Sequence, residues 1–195
     1  MRNIGILILL SAAVMLAVPQ GTQAAEKTQI IATDIGDPFN ILKTGPIGYF
    51  DTSSTTIICP GHEPTNNPLQ PCPPGSRTNY RGLVIGAIPL TSEDLRFNGG
   101  LQTVEINVNY DANGEGPFWG KERVDLLDGG VLEGSLNGQY YNGGAIGLGK
   151  AELHGMGGSV DGLIIKVDAQ AYHIFGGAVF TDTYTFTIID PHAKK

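Results

Sequence analysis

Beyond its first two dozen residues this chain of 195 has no apolar run long enough to cross a bilayer as a helix, so the mature protein is expected not to insert in a membrane. Residues that form helices well rarely line up at helical spacing, which argues against an α-helical core. Catalytic signatures are missing too. There is no Gly-x-Ser-x-Gly elbow, no His-Glu-x-x-His and no histidine–cysteine metal set, and Ser53, Ser54, Ser76, Ser92, Ser135 and Ser159 have no activating context. Basic residues are scarce. Without Arg2, 11 of the 12 remain against 19 acidic ones, a formal charge of −8 that repels phosphate backbones and anionic lipid. Nucleic acid is therefore not an expected partner, and Lys194-Lys195 is too short to make a basic patch.

The N-terminus has the pattern of a secretory signal peptide. Arg2 supplies the positive start, Ile4 to Val18 an apolar run too short to span, and Thr22-Gln23-Ala24 a small-residue exit. Cleavage after residues 1–24 leaves residues 25–195 as a single domain of 171 residues, secreted or periplasmic. The two cysteines, Cys59 and Cys72, are then an even count in an oxidising compartment, and a structural disulfide is expected between them. It would staple a proline-rich loop over 59–79. No cysteine stands at the cleavage site, so a lipid anchor is not expected either.

The periodicity that does appear is two. Val104, Ile106, Val108 and Tyr110 alternate with Thr103, Glu105, Asn107 and Asn109, and Phe180, Tyr184, Phe186 and Ile188 alternate with Thr181, Thr183, Thr185 and Thr187. Leu163 to Phe175 extends the pattern over thirteen residues, as strands do when they tilt around a barrel. Shorter strands are predicted at Gln29–Thr33, Ile47–Phe50, Thr55–Ile58, Tyr80–Ile88, Lys121–Leu127, Val131–Leu136 and Lys150–His154. Turn signals separate them at Asp128-Gly129-Gly130, Asn137-Gly138, Asn142-Gly143-Gly144, Asp161-Gly162 and Gly176-Gly177. The expectation is an all-β fold, a single antiparallel meander β-barrel of about eight to ten strands, with a sandwich as the alternative.

Candidate site residues are few. Tyr110, Trp119, Tyr172, His173 and Tyr184 are the side chains expected to hold an apolar or aromatic ligand, with Tyr140 and Tyr141 as further candidates to line the cavity, although aromatic residues equally serve as ordinary core. His154 and His173 lack a third ligand at metal spacing, and His62-Glu63 and His192 are expected in solvent, so no metal is predicted. Asp111-Ala112-Asn113-Gly114-Glu115-Gly116 resembles the start of a calcium loop but lacks the downstream glutamate and is expected to be a hairpin turn. Gly147-x-Gly149 before Lys150 lacks the spacing and the helix of a phosphate loop. No cofactor is implied.

Over roughly residues 100–190, Gly143-Gly144-Ala145-Ile146-Gly147-Leu148-Gly149-Lys150, then Gly155-Met156-Gly157-Gly158 and a closing Thr183-Tyr184-Thr185-Phe186-Thr187 resemble the allene oxide cyclase-like and dirigent barrels. The family's Gly-Gly-Thr-Gly-x-Phe stretch is altered here, with Leu148 in place of the threonine and Ala151 near the aromatic position. The resemblance implies an eight-stranded barrel with an apolar cavity, often a homo-oligomer. Its relatives cyclise an unsaturated epoxide or steer radical coupling without a redox centre, and neither chemistry transfers residue by residue. Three functions follow as expectations. The first is an exported barrel that binds an apolar or amphipathic small molecule, which calls for an interior space of ~300 Å³ or more. The second is a cofactor-free isomerase, cyclase or coupling guide, which calls for a buried acid at the cavity floor, with Glu105 and Glu152 as candidates. The third is a filled-core interaction module that works through the 59–79 loop. The absent catalytic set weighs toward binding over catalysis.

Overall fold

The computed structural model describes residues 24–34, 49–51, 55–66, 72–173 and 180–193. Ten strands make one antiparallel sheet: β1 (Ala24–Asp34), β2 (Tyr49–Asp51), β3 (Thr56–Ile58), β4 (Thr78–Ser92), β5 (Leu101–Tyr110), β6 (Gly116–Asp125), β7 (Val131–Tyr141), β8 (Ile146–Met156), β9 (Ile164–His173) and β10 (Phe180–Asp190). From β4 to β10 each strand pairs with the next, as a meander requires, and β10 pairs with β1. The ring closes where β1 meets β4 through Ile30–Ser92, Ile31–Thr91 and Ala32–Leu90. Eight strands thus form a closed barrel, the architecture that removes exposed edges. The short β2 and β3 pair with the earlier part of β4. β4 serves β1, β2 and β3 along one edge by bending at two register shifts, between Tyr80 and Leu83 and between Ile85 and Ile88.

Alternation decides which side chains enter the bore. In β6 Phe118, Glu122 and Val124 point inward, and in β7 Leu132, Leu136 and Tyr140 do. Glycine at inward positions lets the sheet turn its corners. A Cβ on Gly120 would stand 1.8 Å from the Glu105 carbonyl oxygen, and one on Gly134 would stand 1.9 Å from that of Glu152. The strands run longer than composition suggests. Asn137-Gly138 is no turn but lies within β7, where Gly138 leaves room for the Phe118 ring. The reversal comes later, at Asn142, Gly143 and Gly144, all with positive φ. Conversely, β9 ends its described span at His173, with Phe175 outside the described residues.

Inside, the core has two halves. One, around Ile30, Leu90, Val124, Leu132, Leu153, Ile165 and Phe186, is plugged by Phe97 from the β4–β5 connection and by Val160 from a 3-10 turn at Gly158–Val160. The Phe97 ring meets the Phe186 ring edge-on at 5.2 Å between centroids. The other half gathers Ile106, Val108, Phe118, Leu136 and Tyr140, with Tyr80 and Tyr110 against them. No helix among the described residues is long and apolar enough to cross a membrane. Residues 1–23 lie outside the described residues, so the signal-peptide expectation does too; β1 starts at Ala24, beside the anticipated cleavage point.

Cys59 and Cys72 are joined by a disulfide, and with Ile57 and Tyr80 they pack into a small cluster outside the main core. Ile57 also exchanges backbone hydrogen bonds with Thr65, which holds the described part of the stapled loop against β3. Closing a loop of 13 residues' separation stabilises the folded state chiefly by restricting the unfolded chain. Replacing both cysteines by serine is expected to lower the free energy of unfolding in urea by about 3 kcal/mol while the β-rich circular dichroism spectrum persists. A loss below about 0.5 kcal/mol would show that the staple contributes little.

Candidate functional site

Between the two halves of the core the bore is not filled. The reason lies in β8 and β9, whose inward positions Gly149, Ala151, Ala169 and Ala171 carry little or no side chain. Lower in the same strands Leu153, Ile165 and Val167 close the space again. The cavity that results has a volume of about 80 Å³ and apolar walls from Ile85, Ile88, Val104, Ile106, Phe118 and Leu136. It is smaller than the ~300 Å³ expected of a drug-sized pocket, because the rings of Phe118, Tyr140 and Tyr184 project into the bore.

Polar side chains at this cavity come from Gln102 on β5, Glu122 on β6, Tyr140 on β7, and Asp182 and Tyr184 on β10, while Lys150 of β8 borders it with its ammonium turned to Asp168 on the outer face. β5 and β10 are not neighbours in the ring, since β1 and β4 stand between them, so the contact between them crosses the interior. The Tyr184 hydroxyl lies 3.0 Å from Gln102 Oε1 and 3.1 Å from Asp182 Oδ2, with its single proton shared between two acceptors. Gln102 Nε2 donates to Glu122 Oε1 at 2.6 Å. The amide is thereby oriented, with its oxygen toward the phenol and its nitrogen toward the acid. Glu122 is 4 % exposed. Burial pushes its carboxyl up to about 7; the Gln102 hydrogen bond pulls against this and the Asp182 charge adds to it. Burial, with Asp182 and Glu122 nearby, likewise holds the Tyr184 phenol well above its usual range. An acid near neutrality in an apolar cavity, wired to a phenol through an amide, can bind a polar group or exchange a proton with it.

The residues singled out from sequence divide sharply. Tyr184 borders the cavity. Tyr110 faces the bore one layer away, its ring 5.5 Å from that of Tyr140. Trp119 and Tyr172 do not belong to the site. Trp119 is 39 % exposed on the outer face, under the Arg81 guanidinium at 5.1 Å, and Tyr172 is 44 % exposed, its hydroxyl accepting from Gln170 Nε2. Both stand at the alternate position to the inward residues of their strands. His173 ends β9 opposite Phe180, and its side chain lies outside the described residues. Glu105 and Glu152 are solvent-facing, so neither is the cavity acid; Glu122 and Asp182 occupy that place. The signal that could have found them is a polar residue at an apolar position of the alternation: Gln102 precedes Val104, Glu122 precedes Val124, and Asp182 precedes Tyr184, each by two.

The remaining candidates have simpler roles. His154 is exposed, 3.7 Å from Glu152, and His62 and His192 are exposed as well. Asp111 Oδ1 accepts from the backbone N–H groups of Asn113 and Glu115, which is how an aspartate builds a hairpin turn. Among the described residues no group of three His, Cys, Asp or Glu could hold a metal. Comparison with known protein families, with curated proteins and with solved structures finds no match for this chain.

Glu122 ties stability to pH. Its folded value lies above its ordinary 4.5, so its contribution is fully present below that pH and is lost as pH rises through about 7. Glu122→Gln keeps an acceptor for Gln102 and removes the titration. The variant is expected to match the native protein near pH 4 and to exceed its stability by about 3 kcal/mol near pH 8, followed by urea unfolding. Parallel profiles for the two proteins across that range would contradict the buried acid.

Proposed function

We propose that this protein is an exported β-barrel that binds a small, largely apolar molecule in its interior, with one polar group of the guest held by the Gln102–Glu122–Asp182–Tyr184 cluster. The observation that supports this reading is the cluster's position: hydrogen-bonding side chains converge on a space whose other walls are aliphatic and aromatic. Water alone gives a weaker account of small side chains at four adjoining inward positions, since larger residues there would fill the bore and add the stability of a packed core. The volume limits the guest. A cavity of ~150 Å³ admits benzene, and this one, at about 80 Å³, suits a molecule of fewer atoms. Long-chain or polycyclic ligands are not the natural occupants.

A second reading rests on Glu122 alone. A carboxyl at about 7 is poised to take and return a proton near neutral pH, which is what a cofactor-free isomerase needs. In that case Glu122 is the proton carrier, and the cavity holds the substrate against it.

Filling the space separates binding from no binding. Ala169→Leu, or the milder Ala171→Val, is expected to abolish the melting-temperature rise that small guests induce in the native protein, and to abolish small adducts in native mass spectra of protein purified from its own host. A filled variant that responds like the native protein would refute an interior site. Glu122→Gln that still binds but no longer turns a guest over would support the isomerase reading; full turnover would end it.

A further inference from the structure

Aromatic rings join the disulfide to the cavity. Cys59, Cys72 and Ile57 form a cluster of their own outside the main core. Among the described residues Tyr80 is the side chain that packs both against this cluster and against the half-core around Phe118 and Tyr140. From Tyr80 the contacts run inward. Its ring meets the Tyr110 ring edge-on at 6.0 Å between centroids, Tyr110 lies 5.5 Å from Tyr140, and Tyr140 lies 4.7 Å from Phe118. Phe118 and Tyr140 are walls of the cavity. All four rings sit near one rim of the barrel: Tyr80 is the third residue of β4, Tyr110 the last of β5, Phe118 the third of β6 and Tyr140 the last but one of β7. They plug the end opposite Phe97 and Val160. The wall beside Tyr80 is slight. β3 has three residues, with Ile57 opposite Tyr80 in the register, and it is held by its ladder with β4, by the backbone bonds to Thr65 and by the disulfide. So short a strand opens locally at far less cost than the barrel unfolds. Close-packed rings pass such a displacement on to their neighbours.

We infer that the Cys59–Cys72 disulfide governs access to the interior site: intact, it holds Tyr80 and the rings behind it shut, and opened by a dithiol it releases them, so that guests larger than the closed space enter. This rests on the interior-binding reading above and adds its regulation. The chemistry balances. A thiolate of the dithiol attacks one cysteine sulfur, the S–S bond breaks and a mixed disulfide forms, which the second thiol of the reagent then displaces. The protein gains two electrons and two protons as a pair of thiols, and the dithiol leaves as its own disulfide. The barrel persists, because its ring closes through β1 and β4 without the staple. A guest responds to the change only if the two states offer it different space, and the loosened rings supply that difference.

Benzene is the probe, since it calls for ~150 Å³ and the closed space has about 80 Å³. Its binding is followed by NMR on the full chain in three forms: oxidised, treated with dithiothreitol, and as Cys59→Ser/Cys72→Ser. Ring-flip rates of Tyr110 and Tyr140 are read from the same samples. Opening the bond is expected to raise benzene affinity and both flip rates by ~10-fold or more, and to leave the Phe97 and Phe186 signals at the far end unchanged. Tyr80→Leu, which cuts the relay, should make benzene affinity insensitive to dithiothreitol within ~3-fold. Unchanged flip rates, or loosened rings with unchanged benzene affinity, would overturn the inference while interior binding stands on the thermal shift with 1-propanol, a smaller guest. If neither benzene nor 1-propanol binds any form, both fail.

Discussion

Three residue pairs between β1 and β4 turn a sheet into a vessel. Without Ile30–Ser92, Ile31–Thr91 and Ala32–Leu90 the meander would remain an open sheet with two unpaired edges. With them the inward side chains of facing strands meet across the bore, and groups such as Glu122 are withdrawn from water. Ile30, fully buried, is part of the apolar half-core that this closure encloses. The closure is also what makes Glu122 unusual. On an open sheet it would be another solvated carboxylate, whereas in the enclosed bore its charged form is disfavoured and its carboxyl rises to about 7.

An enclosed interior imposes strict accounting on polar groups. The barrel satisfies most of it by a crossing chain of contacts, Glu122 to Gln102 to Tyr184 to Asp182, which links β6, β5 and β10 through the bore. Such a chain costs more than aliphatic packing would, because each member must be desolvated and oriented. Its position is also peculiar: it lies between two apolar half-cores, beside the stretch of β8 and β9 where side chains shrink to glycine and alanine. Polar groups set beside unfilled space are the arrangement on which the proposed interior binding rests. In that reading the volume of about 80 Å³ is what limits the guest.

How much of this was legible depends on which signal is followed. Alternation in Leu101–Tyr110 and Phe180–Ile188 predicts strands β5 and β10, with Ile106, Val108, Tyr184, Phe186 and Ile188 buried as expected, and the disulfide joins the two cysteines that bracket a proline-rich loop. Strand ends were harder to read, because Gly138 has the look of a turn and serves instead as room for Phe118. Choosing cavity residues by aromatic character picks Trp119 and Tyr172, which stand on the outer surface. Choosing them by position in the alternation picks Gln102, Glu122 and Asp182, which border the space. Side-chain type says what a residue prefers; in a strand, the two-residue repeat decides where it goes.

Local chemistry along the chain was therefore enough for the class of fold: period-two patterning, turn residues and glycine content permit little besides an antiparallel β structure, since each strand's faces are set by its own alternation. Which faces meet across the bore was another matter. Gln102 and Tyr184 are 82 positions apart and touch only because the ring closes. The size of the cavity depends in the same way on how large and small residues from non-adjacent strands oppose one another. Neither quantity is local: alternation puts Glu122 on the inward face of β6 and Glu105 and Glu152 on outward faces, but only the assembled barrel sets Glu122 beside the Gln102 amide and the cavity.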